Sequence, residues 1–162
     1  MQQHINVKHT LESGQLFRYY KQEDGFRIIH RDNSFFVRQN SNNNKVEFSG
    51  ISKTKFAEFF RLDDNYEQIL KEINKDHYIS DAINHYHGLR IIRQDPWECT
   101  VSFLCSMASN IPKIKGNLNN IAKTFGAKKE DFYAFPNVGD IDNLTKLNQC
   151  GVGFRAKYIY EL

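Results

Sequence analysis

The stretch Lys45–Leu62, KVEFSGISKTKFAEFFRL, contains the change of pattern that decides the fold. Up to Gly50 it carries strand-type residues, Val46 and Phe48, and it closes on a turn residue. Beyond Gly50 the spacing becomes helical: Ser52 stands as an N-cap, and Phe56, Phe59 and Phe60 recur on one helix face. The same division holds on either side. From Asn6 to Gly50 the pattern favours strands: QLFRYY (15–20), GFRIIHRD (25–32) and SFFVRQN (34–40) are rich in Phe, Tyr, Val and Ile. EDG (23–25), DNS (32–34) and NSNNN (40–44) separate them with turn chemistry, which predicts an antiparallel meander.

Downstream, DDNYEQILKEINK (63–75) sets Tyr66, Ile69, Leu70 and Ile73 at helical spacing, and HYISDAINHYHG (77–88) reads as a helix ended by Gly88. DPWECTVSFLCSMA (95–108) has Asp95 as N-cap, Pro96 at the first helical position and Glu98 three residues after the cap. Its Trp97, Val101, Phe103, Leu104, Cys105 and Met107 leave almost no charged side after Glu98, which predicts a central buried helix. That helix breaks at 106–110, and another begins around Pro112 in IPKIKGNLNNIAKTFG (111–126). Sheet first and helices afterwards is the α+β class. The expected division is residues 1–51 as an antiparallel sheet, 52–88 as helices completing an N-terminal domain, and 89–162 as the first part of a helical domain.

A chain of 162 residues with 40% hydrophobic and 14% aromatic content can bury a real core. Twenty-two Lys and Arg against 19 Asp and Glu give a net charge of only +3, so any anionic partner must be argued from where the charges lie. Cys99, Cys105 and Cys150 are odd in number and lack Cys-x-x-Cys spacing, which disfavours a disulfide framework and a zinc site and predicts a reducing cytoplasm. The start, MQQHINVKHT, has no basic-then-apolar leader, and no membrane insertion is expected.

The basic window is local. Lys113, Lys115, Lys123, Lys128 and Lys129 fall in residues 111–129 without an acidic residue, beside a helix start preceded by Ser109 and Asn110. Free N–H groups at such a start suit a phosphate, although lysines on a solvated helix face would look the same. CGVGFRAKY (150–158) offers a similar choice: Gly151 and Gly153 serve either as a helix stop or as a close backbone approach to a ligand, with Arg155 and Lys157 supplying charge. His77, His85 and His87 do not make a His-x-x-x-His face, so no metal is expected, and no cofactor motif is present.

Three segments together resemble the 8-oxoguanine DNA glycosylases: SGQLFRY (13–19), LRIIRQDPWECTVSFLCSMASNIPKIKGNLNNIAKTFG (89–126) and CGVGFRAKYI (150–159). The resemblance implies an N-terminal sheet like half of the TATA-binding-protein fold, then a helical domain with a helix-hairpin-helix. It implies a double-stranded DNA partner containing 8-oxoguanine, and a damaged base flipped out of the stack during base excision repair. The carbonyl of Gly14 would accept the hydrogen that oxidation places on N7. Ala108, Ser109 and Asn110 would fill the gap left by the flipped base, while Lys113, Phe154 and Arg155 would contact the opposite base. Lys115, Gly151 and Gly153 would make weaker phosphate contacts.

Where the family usually has asparagines this chain has Ala108-Ser109-Asn110, Lys113 stands for an arginine, and Phe154 stands where tyrosine is common. Those departures imply relaxed selectivity for the opposite cytosine and a prokaryotic branch, cytoplasmic and nucleoid-associated. The resemblance also places the catalytic lysine and aspartate after the segment matching CGVGFRAKYI. This chain is therefore expected to be an N-terminal part with no catalytic residue of its own, partnered by a C-terminal helix-hairpin-helix segment. A non-catalytic or split-enzyme DNA-binding domain is the alternative.

Overall fold

The computed structural model describes residues 4–162. Four strands, β1 (Tyr19–Gln22), β2 (Gly25–His30), β3 (Asn33–Gln39) and β4 (Val46–Ser49), form an antiparallel meander in the order β1-β2-β3-β4. Tight connections set its register: Gln22 pairs with Gly25 and His30 with Asn33. Gly25 is needed for close approach, since a Cβ there would sit 2.5 Å from the Val37 carbonyl oxygen. Ile28 opposite Phe35 and Phe26 opposite Val37 lie on one face, because partners across a ladder share a side.

That face is covered by two helices, α1 (Val7–Glu12) and α2 (Lys53–Phe59). Val7, Leu11, Ile28, Phe35, Val37, Phe56, Phe59 and Phe60 form one buried cluster. Phe48 stacks on Phe56 with ring centroids 4.0 Å apart. Burial of each such side chain contributes roughly 1.5–3 kcal/mol, so this short sheet depends on its helical cover. The Ser52 side chain caps α2 by accepting from the Lys55 N–H, as its position implied.

The strand pattern expected from Asn6 onward is corrected at its start. Asn6 instead caps α1, accepting from the His9 N–H at 2.9 Å, and Val7, Thr10 and Leu11 turn inward. The first strand begins only at Tyr19. Gln15 and Arg18 are drawn out of strand geometry by long-range polar contacts described below.

Past α2 come α3 (Tyr66–Ile73), α4 (His77–His85), α5 (Pro96–Ser106) and α6 (Ile111–Phe125), then α7 (Leu144–Leu147), a kinked turn at 148–152 and α8 (Arg155–Tyr160). Neither α3 nor α4 fully buries a residue, despite the apolar periodicity of both. The expectation of a central, wholly buried α5 is also corrected. Val101, Ser102 and Cys105 face inward, while Phe103 is 72% exposed, so the helix is covered on one side only. Val101, Cys105, Ile114, Leu118, Ile121, Leu147, Val152 and Ile159 make a second core.

The two cores meet across a polar seam. Arg18, 2% exposed, donates to the Tyr133 carbonyl, and its Nη1 lies 3.5 Å from Glu98 Oε1. Tyr20 donates to Asn119 at 2.7 Å, Arg27 pairs with Asp131 at 2.7 Å, and Arg31 pairs with Asp95 at 3.2 Å. These contacts fix how the sheet carries the helices that hold the site.

Candidate nucleic-acid interface

The loop between α5 and α6 is the centre of the site, and it is built under constraint. After Ser106 the chain turns through Met107 (φ −56, ψ 123) and enters the left-handed region at Ala108, φ 45. A residue with a Cβ is uncommon there, and such strain persists only when surrounding contacts enforce it. Asn110 then caps α6, its side chain accepting from the Lys113 N–H at 3.0 Å. Pro112 completes a start whose first N–H groups point away from the helix.

Arg155 supplies the enforcement. It is 3% exposed at the first turn of α8, and its Nη2 donates to the Met107 carbonyl and, at 3.1 Å, to the Ala108 carbonyl. Nη1 donates to the Val152 carbonyl at 3.1 Å. The guanidinium carbon lies 4.6 Å from the Phe154 ring centroid, so an exposed aromatic flanks the buried cation. The planar fork of arginine lets one side chain hold carbonyls from two segments.

The glycines ahead of Arg155 make this approach possible. Gly151 has φ 80 and Gly153 has φ 60 with ψ −139, a combination open essentially to glycine alone. Behind the turn, Asn117 is 4% exposed with its Nδ2 unpartnered among the described residues, and Ser109 Oγ is similarly buried without a partner. Two hydrogen-bonding groups thus stand unused beside the loop. Lys113 is exposed and has no carboxylate partner among the described residues. Lys115 instead lays its ammonium 3.7 Å from the Tyr19 ring centroid, and desolvation holds its pKa below the usual lysine value.

Gly14 belongs to a separate construction. It has φ 84 just past α1, with nothing within 4 Å of where a Cβ would stand. Its neighbours do the holding: Gln15 Nε2 donates to the Ser13 hydroxyl at 2.9 Å and to the Arg90 carbonyl at 2.8 Å, and Gln15 Oε1 accepts from the Ile92 N–H at 2.8 Å. The Ser13-Gly14-Gln15 turn is therefore fastened to the segment leading into α5, and the glycine is presented at the surface.

The structure brings together Ala108, Ser109, Asn110, Lys113, Gly151, Gly153, Phe154 and Arg155, whereas Lys115 is turned toward the sheet. Gln15 and Asn117 were not singled out from the sequence. For Gln15 the available signal was a polar side chain held between a Ser-Gly turn and an apolar run. Asn117 gave no signal, lying beside Gly116, Asn119 and Asn120 in α6. Cys105 and Cys99 are unsuited to nucleophilic work: burial pushes Cys105 up to about 11 and also raises Cys99.

Residues 1–100 match the family model described as 8-oxoguanine DNA glycosylase, N-terminal domain. The chain belongs to the 8-oxoguanine DNA glycosylase family. Among curated relatives of this family, the N-glycosylase/DNA lyase of Saccharomyces cerevisiae is 28% identical over 96% of this chain and 48% of its own length. The Arabidopsis thaliana N-glycosylase/DNA lyase is 31% identical over 93% of this chain and 45% of its own. The Clostridium acetobutylicum 8-oxoguanine glycosylase/lyase, solved with double-stranded DNA containing cytosine opposite 8-oxoG, superposes with a TM-score of 0.88. It is 32% identical over 96% of this chain and 57% of that chain.

Recognition of the family from its three motifs, and the α+β architecture with an N-terminal antiparallel sheet, both agree with these matches. The chain spans about half the length of the curated relatives it matches. No helix of the described residues is long and apolar enough to cross a membrane.

Proposed function

We propose that this chain is the N-terminal part of an 8-oxoguanine DNA glycosylase and abasic-site lyase, and that it contributes lesion recognition and the wedge behind a flipped base. The observation that carries the reading is the α5–α6 loop, strained at Ala108, clamped by buried Arg155 and followed by a capped helix start with unpaired Lys113. A rigid loop can enter a base stack; a mobile one would lose its ordering entropy on entry. Helix N–H groups and Lys113 suit the flanking phosphate.

In this reading residues 1–51 and 52–88 form the N-terminal domain, and 89–162 opens the helical one. The carbonyl of Gly14 accepts the N7 hydrogen of the oxidised base. Undamaged guanine presents a bare acceptor at N7, so two acceptors would face each other unsatisfied. Ala108, Ser109 and Asn110 fill the stack, Phe154 and Lys113 face the opposite base and its flanking phosphate, and Gly151 and Gly153 lie nearer the backbone, while Lys115, engaged on the Tyr19 ring, makes no phosphate contact. Arg155 acts first through the loop, because its donors are engaged with loop carbonyls.

The Schiff-base chemistry belongs, in this proposal, to sequence that the relatives carry beyond the matched half, in a C-terminal helix-hairpin-helix segment. Three cysteines without a disulfide support a reducing, cytoplasmic setting, and the departures at Ala108, Lys113 and Phe154 are what this reading rests on for a prokaryotic, nucleoid-associated one. The alternative reading is a split enzyme completed by a separate polypeptide, for which exposed Phe103 and Tyr158 in the helical layer would be the contact surface.

The deciding experiment is binding of the 162-residue chain to an 8-oxoguanine:C duplex and to its G:C counterpart across a salt series, together with borohydride trapping. Preference for the lesion duplex, weakening steeply with salt and giving no covalent adduct, is expected. Equal binding to both duplexes would overturn the recognition role, and a trapped adduct would overturn the absence of a nucleophile.

A further inference from the structure

His4, Glu67 and His87 come from three separate segments and converge at one place on the surface. His4 precedes α1, Glu67 lies in the first turn of α3, and His87 follows α4. One ligand atom from each lies within 4.8 Å of the others, and His4 Nε2 is 3.7 Å from Glu67 Oε1. The two imidazoles meet edge to face with centroids 5.4 Å apart. The linear spacing of the histidines did not reveal this, because two of the three groups are contributed by segments distant in sequence.

The arrangement is held by contacts next to each ligand. The Asn6 N–H donates to the Gly88 carbonyl at 2.7 Å, the Gly88 N–H donates to the Tyr66 hydroxyl at 2.7 Å, and Arg90 Nε donates to the His4 carbonyl at 2.9 Å. Gly88, φ 86, permits the approach, since a Cβ there would sit 2.7 Å from the Asn6 nitrogen. The Tyr66 ring packs on His4 and on His87, with centroids 6.3 Å and 5.7 Å away. The segments bearing the ligands are thus joined within two residues of each of them, without any ion.

Two imidazole nitrogens and one carboxylate oxygen suit zinc, whose bonds to such atoms run about 2.0–2.2 Å. Around a tetrahedral ion the ligand atoms stand about 3.3–3.6 Å apart, so small rotations of three exposed side chains close the site. Magnesium and calcium require more oxygen ligands than are present. Glu67 supplies the site's negative charge, while the Arg90 guanidinium is engaged on the Tyr66 ring, 4.6 Å from its centroid. Exposure of all three ligands leaves a fourth position for water.

We propose that His4, Glu67 and His87 bind a divalent zinc ion that staples the N-terminal segment to α3 and to the end of α4. The site is independent of the DNA-binding reading above. A metal bound by the folded chain and not by the unfolded one raises stability by mass action.

The test is calorimetric titration of zinc chloride into the chelator-treated 162-residue chain, with thermal unfolding measured at saturating zinc. One equivalent is expected to bind and to raise the unfolding temperature, and magnesium is expected to do neither. His87→Ala and Glu67→Gln, verified as folded by circular dichroism, are each expected to weaken binding by about tenfold or more and to remove the thermal shift. Cobalt substitution separates this site from one built on cysteines, because thiolate ligation adds a sulfur-to-cobalt charge-transfer band. Absence of saturable binding, binding unchanged by His87→Ala, or a thiolate band would each overturn the proposal.

Discussion

Nη1 of Arg18 lies 3.5 Å from Oε1 of Glu98, joining the sheet domain to α5 at a point nearly sealed from water. Burial, opposed by the Arg18 charge, pushes Glu98 up to about 7. A carboxyl raised in the folded state favours folding at low pH, and that advantage is lost as pH rises from 4.5 through about 7. The difference corresponds to a swing on the order of 3 kcal/mol.

His30 works in the opposite sense. Burial and the Arg31 charge lower it to about 4, so its contribution is present above 6.5 and is lost as pH falls toward 4. Between pH 4.5 and 6.5 the folded state keeps the Glu98 proton while the unfolded state keeps the His30 proton, so these two slopes cancel. Glu98→Gln is expected to unmask the histidine: denaturant unfolding of the variant should show stability falling on acidification from pH 6.5 to 4.5, relative to the parent. Parallel profiles for parent and variant would contradict this assignment.

Arg155 holds the loop by geometry as well as charge, so Arg155→Lys should not rescue Arg155→Ala. A lysine ammonium cannot fork to Met107, Ala108 and Val152 together. Each variant is expected to lose roughly 1–3 kcal/mol, since the buried Val152 carbonyl and the two loop carbonyls lose their charged donor. Hydrogen exchange at residues 107–110 should accelerate in both. Loss of stability without faster exchange there would separate Arg155 from the loop.

Ala108 carries strain that a different side chain can relieve. At φ 45 a non-glycine residue costs about 1–2 kcal/mol, and asparagine tolerates the region better because its amide bonds locally. Ala108→Asn is therefore expected to raise the unfolding temperature by about 2–4 °C. The same change returns an amide to the wedge, so tighter binding to the 8-oxoguanine:C duplex should accompany the thermal gain. A lower unfolding temperature would show that the loop conformation is set otherwise.

The sheet was legible because its signals are local: Phe and Ile runs, paired turns and the switch after Gly50 all act within a few residues. The helix α1 was not, since Val7 and Thr10 are β-branched and its stability comes from distant partners. Thr10 Oγ1, for example, accepts from the Arg90 N–H, 80 residues away. The site divides in the same way. Asn110, Pro112 and the glycines at 151 and 153 announce themselves through capping and turn chemistry. Burial of Arg155 depends on carbonyls 47 and 48 residues upstream, and Gln15 bonds to a segment 75 to 77 residues on. No windowed pattern contains that information.

Lys113 and Lys115, two residues apart on α6, are expected to separate phosphate binding from domain packing. Lys113 is exposed and unpaired among the described residues, so losing the one phosphate it neutralises should reduce the salt slope of DNA binding by about 0.9 in Lys113→Ala, with stability unchanged. The Lys115 ammonium sits 3.7 Å from the Tyr19 ring centroid, an interaction across the seam between the sheet and the helices. A half-buried cation on an aromatic face contributes roughly 0.5–2 kcal/mol, and Lys115→Ala should lose stability of that order while leaving the salt slope intact. Filter binding over a salt series and urea unfolding of both variants make the comparison. A slope that drops for Lys115→Ala and not for Lys113→Ala would reverse the assignment and move the phosphate contact to the sheet side of α6.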